Sequence, residues 1–68
     1  MKNITIIDSK IYKSTSEKAI KQMIIDLPSQ YALSPYQLQL IADVYIKAMN
    51  KKRLCAIYNK IAIAIANR

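Results

Sequence analysis

Apolar residues recur along this chain at spacings of three and four, and the breaks between runs carry helix-start chemistry. Ser34-Pro35-Tyr36-Gln37 opens the clearest segment: Ser34 suits an N-cap, Pro35 the first helical position, and Gln37 can reach back to close a capping box. Leu38, Ile41, Ala42, Tyr45 and Met49 then line one face, while Leu40, Val44 and Ile46 add apolar surface away from it. This reading makes residues 35–50 a long central helix with more than one greasy face, which calls for burial on several sides or for a partner helix.

Upstream, Ser14-Thr15-Ser16-Glu17 reads as a second capping box with Ser14 as N-cap. Ala19, Ile20, Met23, Ile24 and Leu27 follow as an apolar stripe, with Lys18, Lys21 and Gln22 outside it. Pro28 is expected to stop this helix, because the residue before proline is pushed out of helical geometry, so the helix is predicted over about 15–26. Tyr31 and Leu33 of the following loop can tuck into the core. Downstream, Leu54, Ile57, Tyr58, Ile61 and Ile65 keep helical period over about 53–66; the Ile-Ala alternation near the end would suit a strand, but alanine favours helix. Asn50 and the following cations mark either a break or a solvated turn. Residues 3–12 are the least legible: Ile4, Ile7 and Ile11 fit a helical face, and a lone strand would have nothing to pair with. The expectation is an all-α fold, a single small domain of three to four helices over residues 1–68.

The chain has 68 residues, so its core is small and a staple of some kind is expected. One cysteine, Cys55, excludes an internal disulfide, and the absence of histidine excludes a zinc site of the usual kind. Cys55 reads as a small buried apolar residue. By elimination, a protein partner becomes attractive. Eleven Lys and Arg against four Asp and Glu give a net charge of +7, suited to a polyanion such as nucleic acid. The first residues lack a signal-peptide pattern, and the run from Ile61 to Ala66 is far shorter than the roughly 20 residues of a membrane span. No membrane association and an intracellular location are expected.

Catalysis finds little purchase. There is neither histidine nor glycine, and Asp8, Glu17, Asp26 and Asp43 are scattered. No catalytic residue, metal or cofactor is assigned. Lys51, Lys52, Arg53 and Lys60 are the candidates for a DNA-facing basic surface, contacting mainly phosphate, since few side chains suited to reading bases accompany them. Tyr45 and Tyr58 lie on apolar stripes and read as core. Asp43, among apolar neighbours, reads either as a solvated carboxylate or as an anchor for a partner's arginine or lysine. The candidate partner surface is Asp43 with Leu40, Val44 and Lys47.

Two motifs carry a family resemblance. Tyr31-Ala32-Leu33-Ser34 enters the central helix, and Ile57-Tyr58-Asn59-Lys60-Ile61 follows about two dozen residues later. In this the chain resembles the Hha/YmoA family of small enterobacterial nucleoid modulators, whose later motif reads Leu-Tyr-Asp-Lys-Ile. It departs from them in lacking Ala-Asp-His-Arg in the long helix, where Ile46, Lys47 and Ala48 stand, and in lacking the C-terminal tryptophan. The resemblance implies a helical, non-enzymatic protein that binds an H-NS-like nucleoid protein, with Asp43 in place of the family aspartate about one helical turn away. It also implies that a basic face is left for DNA, tuning gene silencing. An autonomous plasmid- or phage-type DNA-binding regulator and a small inhibitor or antitoxin-like protein are the alternatives.

Overall fold

The computed structural model describes residues 4–67, and among them it contains four helices and no strand. These are α1 (Ser9–Ser14), α2 (Glu17–Gln30), α3 (Pro35–Ile46) and α4 (Lys51–Ala66). The all-α expectation holds. α2 packs most extensively on α4, and α3 lies against both. Ile20, Ile24 and Leu27 of α2 meet Leu54, Ile57, Tyr58, Ile61, Ala62 and Ile65 of α4, with Ile41 and Val44 closing the core from α3. Ile20, Ile24 and Ile61 are fully buried, each contributing about 1.5–3 kcal/mol of apolar transfer.

Each helix begins where a short polar side chain can take an orphan backbone N–H. Ser34 forms the expected capping box: its Oγ accepts from the Gln37 N–H, and Gln37 Oε1 accepts from the Ser34 N–H at 2.8 Å. That reciprocal pairing explains how Gln37 can be buried. The cap of α2 is Ser16, not Ser14: Ser16 Oγ accepts from Ala19, while Ser14 ends α1 with its hydroxyl donating to the Ile11 carbonyl. Pro28 does not stop α2. It lies in the last turn, where its missing N–H costs a single bond, and the core holds Leu27 helical while its carbonyl accepts from the Tyr31 N–H.

The predicted central helix over 35–50 ends at Ile46, and Lys47 is extended. Asn50 is the reason for a new start, because its side chain in an extended backbone accepts from the Arg53 N–H. α4, with 16 residues, is therefore longer than α3, with 12. The face of α3 that enters the core is also not the predicted one. Gln37, Ile41 and Val44 are buried, with Leu40 partly so, whereas Leu38 and Tyr45 face solvent. Tyr58 is core as expected, Tyr31 and Leu33 pack against the core, and Cys55 is only half-buried.

The expected helix over 3–12 is replaced by an irregular segment and then α1; residue 3 lies outside the described residues. Asp8 caps α1 by accepting from Ile11. Before it, Ile7 is buried and its backbone is taken by Asn59 of α4. The Asn59 Oδ1 accepts from the Ile7 N–H at 2.8 Å, and its Nδ2 donates to the Ile7 carbonyl at 2.9 Å. A side-chain amide thus does for this segment what a neighbouring strand would do.

Asn59→Ala leaves both Ile7 groups without protein partners, so a loss of about 1–3 kcal/mol in urea denaturation is expected, with lost exchange protection at the Ile7 amide. The Tyr58 hydroxyl is held above its ordinary pKa, first by burial and then by Tyr31. Its neutral form favours the fold, so this contribution is complete below the free tyrosine value of about 10 and fades as pH rises past it. Tyr58→Phe should remove that part of the alkaline loss in a pH series of unfolding curves.

Candidate nucleic-acid interface

Three chain segments distant in sequence supply cations to one end of the fold. Lys18 and Lys21 come from the first turns of α2, one turn apart on its exposed face. Lys47 follows the end of α3. Together with Glu17 they rim an open concavity of about 330 Å³, floored by Val44, Ala48, Met49 and Leu54. Lys47 and Arg53 border an adjoining hollow of about 250 Å³. Lys51, Lys52 and Arg53 fill the first turn of α4, which has no acidic residue.

Cations at a helix N-terminus oppose the macrodipole, and clustering them adds like-charge repulsion; each such term is worth a few tenths of a kcal/mol to about 1. Burial of the isoleucine seam between α2 and α4 outweighs these terms. The surplus positive potential therefore persists at this end of the fold, where an anion would relieve it. Among the described residues, Lys18 and Lys21 make no ion pair.

The sequence-predicted residues separate into distinct places. Lys47, Lys51, Lys52 and Arg53 belong to the basic end. Lys51 is half-buried, its ammonium 4.5 Å from the ring centre of Tyr12 in α1. Lys60 lies two turns beyond Arg53 along α4, about 10 Å further along its axis, with its ammonium 2.7 Å from the Tyr36 hydroxyl. It is thus committed to α3 and stands apart from the other cations.

Asp43 is partly exposed and paired locally, with Gln39 Nε2 at 3.4 Å from Oδ1 and Lys47 Nζ at 3.9 Å from Oδ2. These are loose contacts that a partner's cation could displace. Leu40 borders a small groove with Tyr36, Lys60 and Ala64. Val44 is 1% exposed, so it belongs to the core and leaves the set of partner-contact candidates. Val44 would be at the surface only if Leu38 and Tyr45 filled the core side, and both are exposed.

Lys18 and Lys21 are the site residues that sequence reasoning missed. Their spacing placed them together on the polar face of α2, but nothing in the sequence said that this face would adjoin Lys47. No helix among the described residues is long and apolar enough to cross a membrane, and no group of potential metal ligands occurs among them. No family model, curated protein or solved structure matches the chain.

Because the Asp43–Lys47 contact is long and its lysine exposed, Asp43→Asn should change stability by about 0.5 kcal/mol or less in thermal or urea unfolding. A larger loss would mean that Asp43 is a structural residue and not a free anchor.

Proposed function

We propose that this chain is a non-enzymatic modulator of gene expression that lays its basic end on DNA phosphates and binds an H-NS-like nucleoid protein through the Asp43 edge of α3. The observation that carries the reading is the convergence of Lys18, Lys21, Lys47 and Arg53 on adjoining hollows, next to Lys51 and Lys52. Cations drawn from three chain segments make a surface that follows a backbone, while the scarcity of base-reading side chains keeps it indifferent to sequence. The partner contact rests on the two motifs that resemble those of the Hha/YmoA family and on a carboxylate only loosely held by its neighbours. Leu40 and Lys47 flank that carboxylate. Adding such a module to a silencing filament raises the filament's positive charge and strengthens its hold on DNA in the bacterial nucleoid.

The same convergence of cations also favours a second reading, an autonomous DNA-binding regulator, since no partner residue is needed to complete the basic surface. Fluorescence anisotropy with duplex DNA over a salt series, with and without the N-terminal domain of an H-NS-like protein, separates the two. The modulator binds DNA weakly alone and more tightly in the presence of that domain, and Asp43→Arg abolishes the gain. The autonomous regulator binds equally well with and without the domain.

In either case Lys18→Gln with Lys21→Gln should lower the slope of log K against log salt by about 2, whereas Lys60→Gln leaves it unchanged. Absence of DNA binding both alone and with the partner would contradict both readings and leave an inhibitor-type role.

A further inference from the structure

The largest departure from an ordinary small-domain surface is on α3. Among the described residues six large apolar side chains are exposed, and four of them, Tyr36, Leu38, Tyr45 and Ile46, belong to this one helix. Tyr36, itself 57% exposed, lies on the other flank of α3 and meets Lys60. The other three, Leu38, Tyr45 and Ile46, are 46%, 63% and 75% exposed, with no polar side-chain contact among the described residues. With 100° per residue, Leu38 and Tyr45 fall on the flank opposite Leu40 and Asp43, with Ala42 between them. The Leu38 and Tyr45 flank is therefore distinct from the Asp43 edge, while Ile46, one turn from Asp43 and next to Lys47, borders that edge.

We propose that this face is the contact between two copies of the chain, packed as antiparallel α3 helices crossing at Ala42. Three observations select a second copy as the occupant. The first is shape. Ala42 is small and exposed, with Leu38 one turn before it and Tyr45 and Ile46 one turn after it. A two-fold axis through Ala42 lets the backbones approach there and sets Leu38 of one copy against Tyr45 and Ile46 of the other, so the patch is complementary to itself.

The second observation is charge. The chain carries +7, yet no lysine or arginine lies between Lys21 and Lys47. A contact along α3 therefore brings together no cation from within that helix, Lys47 lying just beyond its end. The third is size. A 68-residue chain whose one cysteine is free has neither an internal disulfide nor a metal cluster among its described residues, and association is a remaining way to bury more apolar surface. Three large side chains supply less than the roughly 800 Å² per partner of a standard interface, so the dimer is weak and concentration-dependent. It would place two basic ends on one particle, giving DNA binding a bivalent character; that last consequence alone rests on the function proposed above.

Sedimentation velocity from micromolar to millimolar concentration, at low and high salt, tests the proposal without DNA or any partner. The expected result is a monomer–dimer equilibrium that strengthens with salt, because salt screens the repulsion between the two cationic chains while apolar contact persists. Ala42→Glu should weaken the dimer at least about tenfold by forcing two carboxylates together at the axis. It does so while lowering the net charge, so general repulsion cannot account for the loss. Ala42 is exposed and glutamate is a good helix former, so the variant should keep the parent urea midpoint; Tyr45→Gln is the second variant, expected to weaken the dimer likewise. Ile63→Gln, at an exposed apolar position on α4, should leave the dimer unchanged.

A monomer at every concentration and salt would overturn the proposal, leaving the face to a different protein or to solvent. So would a dimer that dissociates in high salt, or one lost in Ile63→Gln and retained in Ala42→Glu. None of these outcomes depends on whether the protein binds DNA.

Discussion

The packing of α2 on α4 is the constraint from which the rest of the molecule follows. Ile20 and Ile24 from one helix and Ile61 and Ala62 from the other are fully enclosed, and truncating Ile61 to alanine would cost about 2–5 kcal/mol by the usual cavity penalty. That seam sets the first turns of both helices at the same end. Their charges come with them: Lys18 and Lys21 on α2, Lys51, Lys52 and Arg53 on α4. α3 then closes the core with Ile41 and Val44 and delivers Lys47 to the same place. The basic end is thus a consequence of apolar packing, held together against its own repulsion by terms several times larger.

Polar side chains decide where the elements begin and what they hold. Ser16, Ser34 and Asn50 each take an N–H at a helix start. Asn59 has a different task, satisfying both backbone groups of Ile7 so that an irregular segment can lie buried against α4. An aspartate at this position would supply the acceptor for the Ile7 N–H but no donor for its carbonyl. Tyr12 on the ensuing helix meets Lys51, joining α1 to the basic end.

Much of the fold was legible from periodicity and caps. The stripes of α2 and α4, the Ser34–Gln37 box and the all-α class all follow from local rules that tertiary structure respected. The failures share a cause. Ser14 and Ser16 compete for the same cap, and local sequence cannot say which is spent on the preceding helix. Pro28 reads as a stop, but Leu27 is held helical by the core. On α3 nearly every position is apolar, so the pattern could not say which face is inside; Gln37, a polar residue, is buried while Tyr45 is not. For the site, the cations adjacent in sequence were found and those adjacent only in space, Lys18 and Lys21, were not.

The proposed function requires that the cations at the start of α2, just after α3 and at the start of α4 form one phosphate-binding surface. Titration of duplex DNA into the isotopically labelled protein, followed by amide and side-chain NMR shifts at moderate salt, tests it most directly. Shifts confined to residues 17–21 and 47–53, appearing together along a single titration course, are the result expected of one shared surface. Shifts centred on Lys60 and Tyr36, or restricted to Lys51–Arg53 with α2 silent, would contradict it.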